Sequence, residues 1–185
     1  MIKKVSAELE DMANARDEAI KLQREIVPWC AQAIRDVQKK KFSEAEEKIK
    51  RIEKRINETE KILKKYPEIV NSVLGSSYQE YAELKIFLSY LKEKKLPKIN
   101  VPSKYYLLGL GDAIGELKRE GMEMLAVGKE KEAERLYEEL EDLYYEFSQY
   151  VYPNSIVPGL KQKQDVARMV LNKFREQIID KKLRN

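Results

Sequence analysis

Glu80 and Glu83 stand three residues apart in the segment SSYQEYAELKIFLSYLK, one helical turn from each other, on a face that also carries Leu84, Phe87, Tyr90 and Leu91. At about 100° per residue these side chains fall within a sector about 120° wide, with Lys85, Ser89 and Lys92 opposite. An ionised carboxylate on an inward-turned face must meet a cation, a metal or a hydrogen-bond donor, or take up a proton. Two acids one turn apart suit a divalent metal. The competing reading is a buried ion pair with a Lys or Arg of another helix.

Two further acidic faces follow. In YYLLGLGDAIGELKREG, Asp112 and Glu116 lie one turn apart beside Arg119 and Glu123, opposite Leu110, Ile114, Leu117 and Leu125. Gly109 and Gly115 flank that stripe and predict the close approach of a neighbouring backbone. In ERLYEELEDLYYEFSQY, Glu134, Glu138, Glu141, Asp142 and Tyr145 share one face, with Leu136, Leu140, Leu143 and Phe147 on the other. If three helices turn these faces toward one cavity, their carboxylates could hold Mg²⁺ for attack by an activated water on a phosphodiester. Surface or interhelical salt bridges are the plainer reading of the second and third faces.

The chain has no histidine and one cysteine, Cys30. Histidine triads, imidazole general bases, imidazole metal sites and an intrachain disulfide are thereby excluded. Oxygen ligands favour Mg²⁺ or Mn²⁺ over zinc. Cys30, beside Pro28 and Trp29, reads as a small apolar residue of the core. GLGDAIG sits inside a helical pattern and follows no strand, so it is no phosphate loop.

The elements that must position these residues are helices, since apolar residues recur at three and four throughout and strand signals are absent. The spacing predicts a first helix over roughly 3–40, bent at Pro28, and a second begun by a Ser43/Glu46 capping box and running to about Lys65. Pro67 opens a third, with a break or kink at Gly75-Ser76-Ser77 before the acidic segment ends near Lys94. LPKINVPSK is the one loop of any length. Helices over about 103–126, then to Tyr152 with Pro153 as the stop, then from Ser155 or Pro158 to Lys182 complete an all-α bundle of six to seven helices in a single domain, 1–185.

Of 185 residues, 43% are hydrophobic and 37% charged, ordinary for a helical domain with one core. No apolar run approaches the roughly 20 residues of a membrane span and MIKKVSAELEDM lacks the apolar core of a secretion signal, so a cytoplasmic location is expected, with no membrane partner. Lys+Arg exceed Asp+Glu by 36 minus 32, or +4, which permits an anionic partner. The run KKKFSEAEEKIKRIEKRINETEKILKK alternates cations with glutamates at helical spacing and reads as a solvated, ion-paired helix in preference to a nucleic-acid surface. Tyr105, Tyr106, Tyr144, Tyr145, Tyr150 and Tyr152 cluster in the second half and read as core or interface rings, with stacking on unpaired bases as the alternative.

With these residues in view the chain resembles the translin family, and within it the translin-associated factor X branch, over nearly its whole length. YYLLGLGDAIGELKREG is similar to that branch's segment, Asp112 matching the branch and Glu116 the family at large, and PGLKQKQDVARMVLNKFRE resembles the family's final helix. The resemblance implies a translin-like seven-helix protomer in a hollow octamer, RNA bound inside, and metal-dependent endonuclease activity. Its active-site pair corresponds to Glu80-Tyr81-Ala82-Glu83. A third family acid falls on Tyr145 here, so Glu141, Asp142 or Glu146 would have to supply that ligand.

The expectation is therefore a homo-oligomeric endoribonuclease using Mg²⁺ or Mn²⁺ on single-stranded or loosely structured RNA, with DNA left open as a ligand. Its catalytic set would be Glu80, Glu83, Asp112, Glu116, Glu141 and Asp142, its metal ligands all of these except Glu116, and its RNA contacts Arg16, Lys21, Arg24, Arg35 and Lys39. The alternatives are a non-catalytic single-strand-binding oligomer of the translin type and a purely structural helical module.

Overall fold

Helices α1 (Ile2–Gln23), α2 (Ile26–Gln38), α3 (Phe42–Leu63), α4 (Pro67–Glu93), α5 (Ser103–Ala126), α6 (Glu130–Ser148) and α7 (Leu160–Arg184) account for the regular structure. The computed structural model describes residues 1–184, so Asn185 of the expected 1–185 domain lies outside the described residues. Among the described residues there are seven helices and no strand, as the periodicity required. The chain divides into two compact units, Met1–Leu84 and Lys85–Asn185, and α4 supplies residues to both.

In the first unit α1 and α2 pack on α3. The face of α3 that does this is legible as Ala45, Ile49, Ile52, Ile56, Thr59 and Leu63, all buried and spaced four or three apart. Fully burying an Ile or Leu contributes about 1.5–3 kcal/mol each, enough to hold a helix whose other face is almost wholly charged. That other face carries ion pairs, among them Lys54–Glu58 at 3.9 Å and Arg55–Glu58 at 3.6 Å, which is the solvated-helix reading of the basic run.

The helix expected over 3–40 is two helices. The break falls at Arg24–Glu25, one turn before Pro28. A proline lacks the N–H that would bond the carbonyl four residues back and its ring collides with that carbonyl; for Pro28 that residue is Arg24, the C-cap of α1. Pro28 itself sits in the first turn of α2, where no donor is missed.

The Ser43/Glu46 capping box does not form. Helix α3 starts two residues earlier, at Phe42, with Lys41 as a cap that makes no side-chain bond. The α2–α3 turn determines this register: Lys40 takes φ 61°, Lys41 N–H donates to Asp36 O at 2.8 Å and Lys40 N–H to Val37 O at 2.9 Å. This is a Schellman closure.

Nor does Gly75-Ser76-Ser77 interrupt α4, which is continuous. Gly75 and Ser77 are buried, and the Gln23 amide donates to Ser76 Oγ at 3.3 Å and Ser77 Oγ at 3.1 Å. Packing overrides the roughly 1 kcal/mol helix penalty of an interior glycine.

In the second unit α5, α6 and α7 pack pairwise. Leu136, Leu140, Leu143 and Phe147 of α6 are buried, as their alternation with the acids predicts. Helix α6 ends at Ser148 and not at Tyr152, because the buried Gln164 amide of α7 donates to the carbonyls of Phe147 (2.9 Å) and Tyr150 (2.8 Å), groups a continuing helix would use itself. Gly128, at φ 77°, closes α5 where expected. Among the described residues no helix is long and apolar enough to cross a membrane.

The close approach expected at Gly115 is not made there, and two other glycines of α5 make one. A Cβ at Gly115 would meet nothing within 4 Å, whereas one at Gly111 would stand 2.9 Å from Lys163 Cβ and 3.3 Å from Phe147 Cζ. A Cβ at Gly121 would stand 2.1 Å from Phe174 Cζ. Close approaches on α5 are thus made at Gly111 and Gly121, and Gly115 makes none.

Candidate functional site

Glu80 and Glu83 are half-buried on α4, among buried Tyr81, Ala82 and Leu84. The opposite side of the helix bonds α3. Tyr81 Oη donates to Glu53 Oε1 of α3 at 2.6 Å, and Tyr78 Oη to Glu60 Oε1 of α3 at 2.6 Å. Burial first, and then the bond to Glu53, push the Tyr81 phenol well above its usual range, so it stays a donor.

Cys30 of α2 is fully buried and feels both glutamates. Burial, then the charges of Glu80 and Glu83, hold its thiol far above the usual range. It therefore contributes no thiolate, and the two carboxylates are the charged donors of this face. The reading of Cys30 as a small core residue holds.

The remaining candidate acids lie in the second unit. Asp112 is paired with Lys163 of α7, whose ammonium donates to Asp112 Oδ1; this is the interhelical salt bridge that competed with a ligand role. Glu116 is half-buried on α5. Glu141 and Asp142 are exposed on α6, where they line a depression of about 360 Å³ with Tyr144, Tyr145, Ser148 and Arg168. Tyr145 is 69% exposed. Burial, then a hydrogen bond to Glu141, push the Tyr137 phenol up to about 12. Of the stripe's other acids, Glu134 is bridged to Lys182 at 2.9 Å and Glu138 is exposed, as is Glu146, the further candidate for the third ligand.

Among the described residues no group of three or more Asp, Glu, Cys or His side chains is gathered as a metal site. The donor set that α4 itself offers is the pair Glu80 and Glu83. Mg²⁺ and Mn²⁺ suit such a pair, since one or two protein carboxylates suffice when waters and phosphate oxygens fill the remaining positions.

Arg16, Lys21 and Arg24 on α1 and near its end, and Arg35 and Lys39 on and after α2, are all exposed, with Arg16 3.4 Å from Asp17. Arg55, which the sequence did not single out, lies over the Trp29 ring at 5.5 Å and bonds Glu25 at 2.8 Å. The tyrosine cluster of the second half divides. Tyr106, Tyr150 and Tyr152 line a groove of about 640 Å³ floored by Leu110, Leu143 and Phe147. Within it Tyr106 Oη donates to Pro97 O at 3.1 Å. Tyr81–Glu53 and Tyr78–Glu60 were missed, and Lys163 went unnamed as the partner of Asp112, because each partner lies on a different helix and spacing within one helix does not reveal it.

Comparison with known proteins places this architecture. The translin family profile matches residues 95–185. The Methanocaldococcus jannaschii protein MJ0175, itself uncharacterized, is 32% identical over 183 residues, covering 92% of this chain and 78% of that protein. Among solved structures, AfC3PO in complex with duplex RNA aligns at a TM-score of 0.90 and 28% identity, covering 100% of this chain and 97% of the other. AfC3PO alone aligns at 0.90 and 28%, covering 100% and 98%. Apo-NeC3PO shares the fold at 0.85, with 24% identity and coverage of 97% and 96%. The chain belongs to the translin family.

Proposed function

We propose that this protein is an RNA-binding homo-oligomer that cleaves RNA, with Glu80 and Glu83 as its catalytic pair, in the manner the translin-associated factor X branch implies. The observation that carries RNA binding is the alignment of the whole chain, at a TM-score of 0.90, with AfC3PO solved in complex with duplex RNA. The ligand class accordingly extends from single-stranded and loosely structured RNA to duplex RNA. A closed assembly, octameric by family resemblance, and a cytoplasmic location belong to the same reading.

Cleavage rests on the α4 pair. Glu80 and Glu83 would hold Mg²⁺ or Mn²⁺, and the bound ion would supply Lewis-acid polarisation of a phosphate oxygen and a water of lowered pKa. The chain's own part is to keep two carboxylates aligned on one helical face, with Tyr78 and Tyr81 holding that helix from behind and Cys30 remaining a neutral thiol. Glu116, Glu141 and Asp142 of the second unit stay candidates for a further ligand, as does Asp112, which Lys163 engages. Arg16, Lys21, Arg24, Arg35 and Lys39, all exposed, would meet phosphates, with an affinity that weakens as salt rises.

The test is incubation of wild type and the double variant Glu80→Gln/Glu83→Gln with labelled single-stranded and duplex RNA, in Mg²⁺, Mn²⁺ or EDTA. Cleavage that needs both the metal and the glutamates is expected, with RNA affinity kept in the variant. Equal turnover in variant and wild type would sink the assignment. The second reading, a non-catalytic RNA- or DNA-binding oligomer, is favoured by the exposed Tyr145 at the family's acid position and by the engagement of Asp112 with Lys163. It predicts binding with no metal-dependent product.

A further inference from the structure

Close to Glu80 and Glu83 in sequence stand two tyrosines whose hydroxyls donate to carboxylates of α3, Tyr78 to Glu60 and Tyr81 to Glu53, both at 2.6 Å. Their arrangement is regular. At about 100° per residue Tyr78 and Tyr81 lie within about 60° of each other, and their common face is about 160° round the helix from the midpoint of Glu80 and Glu83. Glu53 and Glu60 are two turns apart on one face of α3. As α4 advances from 78 to 81 its partner recedes from 60 to 53, the order of an antiparallel helix pair.

Apolar packing is non-directional and leaves a helix free to roll slightly about its axis. A short hydroxyl-to-carboxylate bond is directional and charge-assisted, so it resists such a roll. Tyr81 is 6% exposed and the neighbouring Cys30 fully buried, which leaves little access for water to replace the bond. We infer that Tyr81, through its hydrogen bond to Glu53, is a positioning residue that sets the direction of Glu80 and Glu83, with Tyr78–Glu60 as the second rung of the same clamp. This rests on the reading of the glutamate pair as catalytic.

The size of the effect follows from the lever. A carboxylate about 6 Å from the helix axis moves about 1 Å when the helix rolls by about 10°. A misplacement of about 1 Å is enough to reduce a reaction about 100-fold. Tyr81→Phe keeps the ring and removes the hydroxyl. It should lower the single-turnover cleavage rate about 10- to 100-fold, weaken Mn²⁺ binding several-fold, and leave RNA affinity within about twofold.

Four variants separate positioning from general stability: Tyr81→Phe, Glu53→Ala, Glu53→Gln and Tyr66→Phe. Glu53→Gln retains an acceptor for Tyr81 and should recover most of what Glu53→Ala loses. Tyr66→Phe removes a comparable bond, from Tyr66 Oη to Asp11 Oδ2, at the α3–α4 turn, and should lower Tm without changing cleavage rate or Mn²⁺ affinity. For each, cleavage rate, RNA Kd, Mn²⁺ affinity by electron paramagnetic resonance and Tm are measured. Wild-type rate and Mn²⁺ affinity in Tyr81→Phe overturn the inference, as do losses in Tyr66→Phe that match those of Tyr81→Phe. A wild type that binds Mn²⁺ through the glutamates yet never cleaves overturns the nuclease reading alone, and positioning is then decided by the Mn²⁺ affinities. A wild type that neither cleaves nor binds Mn²⁺ overturns both.

Discussion

Gly115→Ala and Gly121→Ala add the same methyl group to α5 at two points with different surroundings. At Gly115 the new Cβ meets no heavy atom within 4 Å, so the substitution gains the helix preference of alanine over glycine, about 1 kcal/mol, with nothing set against it. At Gly121 it would stand 2.1, 2.7 and 3.0 Å from Cζ, Cε1 and Cε2 of Phe174, where carbon atoms prefer about 3.5–4.0 Å. Phe174 is fully buried and meets Tyr137 edge-to-face with centroids 5.8 Å apart, so its ring has little room to retreat. Overpacking of this kind costs about 1–3 kcal/mol, and a contact this short belongs at the upper end. Subtracting the same gain of about 1 kcal/mol leaves a net loss of about 2 kcal/mol at Gly121 and a difference of about 3 kcal/mol between the variants. For a chain of this length the corresponding changes in Tm are about +2 to +4 °C for Gly115→Ala and about −4 to −8 °C for Gly121→Ala.

The assay is urea and thermal unfolding followed by helical circular dichroism, at one fixed protein concentration because assembly shifts the apparent stability. Phe174→Leu in the Gly121→Ala background should recover part of the loss, since it withdraws the atoms the methyl group strikes. Unfolding of Gly121→Ala at or above the wild-type midpoint would refute the packing argument. A smaller sedimenting species for Gly115→Ala would refute the assignment of open space there and seat a second copy against that glycine.

The other predictions concern titratable groups. Because burial first, and the charges of Glu80 and Glu83 second, hold the Cys30 thiol protonated, a disulfide reagent at mildly alkaline pH should label it only once the chain is unfolded; rapid labelling of the native protein would contradict its placement. Tyr90, through burial and then the charges of Glu139, Asp142 and Glu146, and Tyr137, through burial and then Glu141, are each pushed up to about 12. Below the unfolded value of about 10 both states keep these protons, and above it the unfolded chain releases them first. Stability should therefore fall as pH rises from about 10 through 12 and be unaffected by these groups at neutral pH. Absorbance titration of the phenols alongside Tm checks this, and a native titration complete by about pH 10 would refute it.

Much of the fold was legible because a helix writes its packing face into short-range spacing. The isoleucines of α3, the leucines of α6, the end of α5 at Gly128 and the proline that opens α4 all follow from residues three or four positions apart. Local signals failed where a distant contact outweighed them. Gly75-Ser76-Ser77 stays helical because Gln23 and a buried face hold it, and α6 stops early because Gln164 takes its last carbonyls.

For the candidate site, residue types and spacing already establish that carboxylates are the available chemistry, that Glu80 and Glu83 share one helical face, and that Glu141 and Asp142 lie opposite an apolar one. Tertiary structure decided which of those acids already have partners and what holds the helices at their angle. Asp112 meets Lys163 across 51 residues of chain, and Tyr81 meets Glu53 across 28. Side chains so far apart in sequence meet only when two helices settle at a particular depth and rotation, and that setting comes from the packing of the whole unit, which no local periodicity encodes.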